Sequence, residues 1–338
     1  MSDTFGKNIT LTVFGESHGA EIGCVLSGLA PGIEINNDFI SKTLKRRQPQ
    51  YGIGTERCEA DEYRIVSGVY EGATTGDALT IIIKNTDIKE SAVDYGEIPR
   101  PGHADFSSLL RSEGFADLRS AGHLSGRLTA PITAAGAILL KALSDKGIAI
   151  KSEIAKIGGI KDFDVACEAI KTIKEKGDSL GGIIRTTVDG MPAGLGEPYF
   201  DSIESLISHA VFSIPGVKGI EFGDGFKAAE MLGSEFNDAL GVAEDGSLMH
   251  LTNHSGGING GITNGAQLVF NTVIRPTASI AKAQQSVNLK TGELTTLKVD
   301  GRHDPCIVPR AGVILEAVTA LVIADVLTGR YGRDFFLD

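Results

Sequence analysis

Apolar positions along this chain fall into two rhythms. Alternation or short apolar runs at 9–14, 22–27, 65–69, 79–84, 182–188, 219–222 and 266–274 predict β-strands. Helical spacing at 37–47, 125–143, 165–176, 201–212 and 307–327 predicts α-helices. Several of the strands are joined by short glycine turns, not by crossover helices. That favours an α+β fold, antiparallel sheets combined with long helices, over a doubly wound parallel sheet. The 125–143 helix is rich in Ala and Gly and can approach its neighbours closely. The longest apolar stretch, 312–329, is interrupted by Glu316 and Asp325. Two carboxylates there argue for a buried helix with one wet edge and against a bilayer span.

The glycines repeat themselves. Gly72-Ala73-Thr74-Thr75-Gly76, followed by Leu79, echoes Gly261-Ile262-Thr263-Asn264-Gly265, followed by Leu268. The run ending Gly28-Leu29-Ala30-Pro31-Gly32 echoes the one ending Gly190-Met191-Pro192-Ala193-Gly194, and a helix-like segment follows each. The pattern predicts two fused pseudo-repeats within a single domain spanning 1–338. Chance matching of Gly/Pro turns is the alternative.

Composition narrows the functional classes. Glycine, at 43 of 338 residues, is in excess without a collagen period, which suggests tight turns and close backbone approaches to ligands. The net charge of −11 argues against nucleic acid as a bulk partner, though a few aimed arginines could still hold a small anion. Cys24, Cys58, Cys167 and Cys306 are scattered, with no metal spacing, and the N-terminus has no signal-like apolar region. A reduced cytoplasmic protein is expected, with no membrane association.

Four loops and one helix end carry candidate chemistry. Gly15-Glu16-Ser17-His18-Gly19 fits the G-x-S-x-G nucleophile elbow, but a strand and not a helix is predicted to follow it. A strand-end loop presenting Ser17 and His18 to a ligand is the better reading; a histidine that merely caps a turn is the alternative. Lys45-Arg46-Arg47 closes a helix, where cations suit the dipole and could equally clamp an anion. In Arg100-Pro101-Gly102-His103-Ala104-Asp105, Asp105 could cap a helix that begins near Phe106, with His103 at its mouth. An imidazole there is suited to proton transfer; an exposed turn histidine is the alternative. Gly301-Arg302-His303-Asp304-Pro305-Cys306 precedes the long last helix. Asp304 there is either its N-cap or a carboxylate set for base work. The glycine loop Ser255–Gly261 could cradle phosphate, but it is neither a Walker nor a Rossmann motif.

Taken in order, these segments resemble chorismate synthase over almost the whole chain. The resemblance rests on Gly15–Gly19, Arg46–Pro49, Ser67–Gly76, Arg100–Asp105, Gly194–Pro198, Ile214–Gly219, Gly223–Phe226, Ser255–Gly261 and Gly301–Cys306. It implies a carbon–oxygen lyase acting on phosphates, at the last common step of the shikimate pathway of aromatic amino acid biosynthesis. In that reaction 5-enolpyruvylshikimate 3-phosphate loses phosphate and a C6 proton by anti-1,4 elimination to give chorismate. Reduced FMN is required without net redox change, and NADPH is a candidate reductant. A homotetramer and a β-α-β sandwich, with helices packed between antiparallel sheets, are also implied.

By the same resemblance His18 would protonate the departing phosphate and His103 the reduced flavin. Asp304 would act with the flavin N5 in taking the C6 proton. Ser17, Arg46, Arg47, Arg100, Ser125, Arg127 and Arg302 would hold the substrate. The flavoprotein's FMN would meet His123, Leu124, Ser125, Gly260, Arg302 and the run Arg275-Pro276-Thr277-Ala278-Ser279, while an NADP position falls on Arg47. Three departures stand out. His123 replaces a usual arginine, Arg275 a usual lysine, and the stretch 50–54 is about one residue short and lacks a further arginine associated with NADPH. Reductant binding is therefore expected to differ from the common type, with the elimination chemistry kept. A flavin-dependent oxidoreductase on a related phosphorylated acid is the alternative enzyme. An anion- or flavin-binding module would be expected to have lost His18, His103 or Asp304, and all three are present.

Overall fold

The computed structural model describes residues 3–49, 53–54, 59–86, 93–299, 301 and 303–337. A five-stranded antiparallel sheet comes first, built from Thr4–Phe5 (β1), Thr10–Gly15 (β2), Glu21–Ser27 (β3), Tyr63–Ser67 (β4) and, after the hairpin Val69–Tyr70 (β5) and Ala73–Thr74 (β6), Leu79–Lys84 (β7). Its order is β1-β2-β3-β7-β4. Ile22, Cys24 and Leu26 of β3 and Leu79, Ile81 and Ile83 of β7 are wholly buried, so every second residue faces the interior. Helices Asn37–Lys45 (α1), Asp105–Arg111 (α2) and Thr129–Asp145 (α3) belong to the same half.

A second set of strands and helices follows. Ala149–Ile157 (β8), Gly182–Asp189 (β9), Val217–Phe222 (β10) and, after the hairpins Leu240–Val242 (β11) with Leu248–His250 (β12) and Ile258–Asn259 (β13) with Ile262–Thr263 (β14), Leu268–Ile274 (β15) form most of it. The four main strands make an antiparallel sheet ordered β8-β9-β15-β10. The ribbon Gln284–Val287 (β16) with Leu294–Leu297 (β17) follows. The helices here are Phe163–Glu175 (α4), Ile203–Val211 (α5), the single turn Gly233–Phe236 (α6) and Val308–Tyr331 (α7). Asn36, Asp162 and Ser202 cap α1, α4 and α5 by accepting hydrogen bonds from the third backbone N–H beyond each. Thr74 Oγ1 donates to Ala30 O at 2.6 Å and accepts from Ile33 N at 2.9 Å; Thr263 Oγ1 donates to Pro192 O and accepts from Leu195 N at the same two distances.

Helix α3 packs on β3 and β7, α7 packs on β8 and β9, and the two helices pack on each other, giving an α+β architecture with its longest helices between the sheets. The closest approach is at Gly136, where an added Cβ would lie 2.4 Å from Ala317 Cβ and 2.6 Å from its Cα. Replacing Gly136 with alanine would gain about 1 kcal/mol of helix propensity. It would also force two helices apart, at a cost of about 1–3 kcal/mol. A net loss of stability is expected in urea denaturation; a gain would show that the helices slide apart freely.

The helical segment Gly126–Asp145, which ends in α3, and helix α7 are apolar and long enough to cross a membrane, yet 78% and 83% of their most apolar windows are buried inside the fold. The anticipated wet edge of α7 is absent at its carboxylates. Glu316 is buried, accepts both Arg46 guanidinium nitrogens at 2.6 and 2.8 Å, and accepts Ser152 N at 2.9 Å. Asp325, also buried, accepts the backbone N–H of Lys7, Asn8 and Ile9 at 3.0, 2.6 and 2.9 Å. Strand β8 escapes the sequence pattern because its register shifts between Ile154 and Lys156, which breaks the alternation midway.

Candidate active site

Loops from both halves enclose a cleft of about 2030 Å³. His18 reaches it from the loop after β2. Gly15 turns the strand there at φ +96°, where a Cβ would strike the carbonyl of Glu21. His18 lines the cleft and is only 7% exposed. Ser17 is wholly buried behind it, with its N–H on Gly122 O at 3.0 Å and no hydrogen-bond partner for Oγ. It does not line the cleft, and β3 follows the loop, so Ser17 is not presented as a hydrolase nucleophile.

The Arg100–Asp105 loop forms the second wall. Asp105 does not cap α2; it lies inside the first turn, and Ala104 takes the cap position. Its carboxylate instead accepts the backbone N–H, Nε and Nη2 of Arg100 at 3.0, 2.8 and 2.7 Å and lies 2.8 Å from His103 Nδ1. Burial alone would raise the Asp105 carboxyl, but the hydrogen bonds from Arg100, and then from His103, hold it well below the usual carboxylate range. The Arg100 guanidinium lies over the Tyr95 ring, 4.1 Å from its centre. Asp105 faces His103 from its Nδ1 side, so Nε2 is the atom left to exchange a proton with a ligand.

The third wall is the run from Arg275 to Ser279, all five residues of which line the cleft. Arg100 Nη1 donates to Ser279 Oγ at 3.4 Å, joining the two walls. Among the described residues Arg275 and Lys218, both on the cleft, make no ion pair, whereas Arg119 pairs with Asp117 and Lys290 with Glu97. Cations without an internal counter-charge leave room for an external anion.

Asp304 closes the cleft from the Gly301–Cys306 loop. It is not the N-cap of the last helix. That helix begins at Val308 with Pro309 in its first turn, and Ile307 holds the cap position. Asp304 Oδ1 accepts Cys306 N at 3.2 Å and Oδ2 accepts Arg310 Nη1 at 2.7 Å. Burial pushes its carboxyl above the ordinary value, with Arg310 opposing. His303 beside it donates Nε2–H to Val299 O at 2.8 Å.

Leu124 and Ser125 also line the cleft, but other expected residues do not reach it. Arg46 turns away to Glu316. Arg47 and Arg127 are buried and share Asp61; Arg47 also reaches Thr129 Oγ1 at 3.0 Å, and Arg127 reaches Glu59 at 3.1 Å and Asn85 Oδ1 at 3.1 Å. The expected anion clamp is thus folded into an internal ion network. His123 does not face the cleft either. Its ring binds Gly15 O through Nδ1 at 2.8 Å and lies 3.3 Å from Asp3 through Nε2, steadying the loop that carries His18. Gly260 sits in the β13–β14 turn, off the cleft. Arg302 lies outside the described residues, as do three of the five residues of the 50–54 stretch. Sequence reasoning missed Asp61, Asp117, Lys218 and Arg310. The alternation of acids in Glu59-Ala60-Asp61-Glu62 was the only hint of a buried counter-charge.

Removal of the Asp105 charge gives a test with a defined sign. A carboxyl whose folded value is depressed adds stability above its unfolded value, about pH 4, and loses it as the pH falls through the folded value. Asp105→Asn should therefore lower Tm at pH 7, with the gap to the parent narrowing below about pH 4. A gap independent of pH would show that the charge contributes nothing.

An open cleft lined by three imidazoles, of which His303 is turned to Val299 O, with a buried carboxylate and unpaired cations, suits proton transfer on a small anionic ligand. The chorismate synthase family model matches residues 9–328. A chorismate synthase of Chitinophaga pinensis is 46% identical over 326 residues, covering 96% of each chain, and one of Korarchaeum cryptofilum is 40% identical over 349 residues, again 96% of each. A solved structure described as the crystal structure of chorismate synthase superimposes with a TM-score of 0.75 at 27% identity, over 97% of this chain and 94% of that one. The chain belongs to the chorismate synthase family, whose members are lyases of aromatic biosynthesis.

Proposed function

We propose that the protein converts 5-enolpyruvylshikimate 3-phosphate to chorismate. The C6–H bond and the carbon–oxygen bond to phosphate both break, and a new double bond forms in the ring. The observation that carries this reading is the convergence of His18, His103 and Asp304 on one cleft that also holds the unpaired cations Arg275 and Lys218. His18 delivers a proton to the departing phosphate oxygen. Asp304, which lines the same cleft, acts in removal of the C6 proton. Arg100, locked by Asp105, Lys218 and Arg275 attract the phosphate and carboxylates and orient them between the two. His103, faced by Asp105 on its Nδ1 side, stores or returns a proton at Nε2.

Reduced FMN fits this cleft. Thr277 Oγ1 is a buried polar atom without a partner on the lining run, Leu124 offers an apolar surface 41% exposed, and Arg275 supplies a cation for a phosphate tail. Leu124, Ser125 and the 275–279 run would hold it, and when bound it supplies the electron-donating chemistry these side chains lack. Arg47, engaged with Asp61 and Thr129, supports a mode of NADPH use different from the common one. The decisive assay is anaerobic phosphate release with dithionite-reduced FMN, repeated with NADPH and oxidised FMN. Phosphate is expected with the first and no phosphate with either would overturn the reading. Consumption of one reductant per turnover would favour an oxidoreductase instead.

We also read the two sheets as descendants of an internal duplication within one domain. The matching orders β2-β3-β7-β4 and β8-β9-β15-β10, and the equivalent bonds of Thr74 and Thr263, support it. Assembly as a homotetramer is supported by one face of the β11–β12 hairpin, where Leu240, Val242 and Leu248 are 63–76% exposed side by side. Light scattering should give four times the chain mass, and Val242→Asp should lower it. Cytoplasmic residence accords with the free thiols of Cys24, Cys167 and Cys306.

A further inference from the structure

We propose that Arg310 is the positioning residue of Asp304: its guanidinium fixes the cleft-facing carboxylate and keeps it anionic. Arg310 stands in the first turn of α7 and spans two elements. Its Nη1 donates to Asp304 Oδ2 at 2.7 Å and its Nε to the carbonyl of Arg47, just past the end of α1, at 2.8 Å. The carbonyl anchors the fork, and the fork sets the direction of the carboxylate. The other oxygen, Oδ1, is held by Cys306 N, so both oxygens of Asp304 are oriented from the protein side while the group lines the cleft.

Among the described residues no other group does this work. Asp304 is 9% exposed, and burial favours the neutral acid, which cannot accept a proton from substrate. The charged and titratable groups facing it are Arg310 on α7, Lys174 on α4 and the Cys306 thiol on its own loop. Burial pushes the Cys306 thiol up to about 12, so it stays neutral. Lys174 acts only at a distance, without a hydrogen bond to Asp304. His303 in the same loop is turned to Val299. Arg310 is thus the cation, among the described residues, that touches Asp304.

The role assigned to Asp304 rests on the proposed elimination, so the test has one arm that does not. In the flavin-free protein, the Asp304 carboxyl carbon is titrated by carbon-13 NMR, with Asp304→Asn assigning the signal. Arg310→Ala should move its midpoint upward by about one pH unit or more. Arg310→Lys should restore most of that shift, and Arg310→Gln, which keeps a donor toward Asp304 and Arg47 O, should not. In the phosphate-release assay the acid limb of kcat/KM should move by the same amount for Arg310→Ala and Arg310→Gln. An unmoved midpoint in folded Arg310→Ala and Arg310→Gln overturns the proposal, whatever the assay shows. A moved midpoint together with a parent protein that releases no phosphate would sink the elimination and leave the Arg310–Asp304 coupling standing.

Discussion

Replacing His18 with alanine should lower kcat for phosphate release by about 10²–10⁴-fold, the range for loss of a positioned general acid. KM should change little, because the cations Arg275 and Lys218 do the holding from other walls of the cleft. The contrast with Arg275→Ala makes the prediction sharp. That variant should raise KM more than it lowers kcat, since its cation attracts the ligand before and after bond cleavage. His18 is 7% exposed at the end of a tight glycine turn, so the truncation opens a small space without moving β2 or β3. Circular dichroism should therefore be unchanged. A kcat within threefold of the parent would remove His18 from the proton path.

Asp61→Asn should cost about 3–5 kcal/mol of folding stability, the penalty for stripping the partner from a buried charge. The side chain of Asp61 is 3% exposed, and it accepts from both Arg47 and Arg127, each 6% exposed. Burial already lowers the Arg47 guanidinium to about 10, Asp61 opposes this, and the neighbouring Arg310 and Arg127 deepen it. At neutral pH both arginines remain charged, so the substitution leaves two like charges facing each other with Glu59, alone among the described carboxylates, in reach of Arg127. The choice of asparagine isolates the charge. Asp61 sits at φ +52°, a left-handed conformation asparagine tolerates, and the volume is conserved. The urea midpoint should fall with an unchanged m-value. A loss under 1 kcal/mol would mean that the arginines find other partners at no cost.

Much of the fold was legible because burial on one face imposes a period. The run 79–84 coincides with β7, and all five predicted helices fall within four residues of observed ends. Where a second constraint intrudes, the pattern fades. Ser125 opens a 3-10 turn through Gly126–Leu128, so α3 starts four residues later than its apolar run suggests. In the site, glycine and proline marked the loops holding His18, His103 and Asp304 correctly, since tight turns need them locally. The arginines were read less well. Whether Arg46 faces a ligand or Glu316 depends on a residue 270 positions away, and local spacing carries no trace of it. Asp105 and Asp304 looked like helix caps because each stands at the start of a helix, although their partners lie only five and six residues away. Their partners, Arg100 and Arg310, are set by how the loops fold back.

Helix α7 is the last long element to leave the ribosome, yet its Asp325 carboxylate holds the backbone of residues 7–9 and its Glu316 holds Arg46. The backbone leading into β2 is thus anchored by a residue translated more than 300 positions later. At roughly 5–20 residues per second, the opening sheet would wait on the order of 15–60 seconds before its anchor exists. Throughout that interval the inner faces of β3 and β7 have no α7 behind α3 to complete their cover. Synthesis of this enzyme should accordingly lean on chaperones that shield nascent apolar surface, and chains truncated before Asp325 should be cleared by proteolysis instead of accumulating as stable fragments.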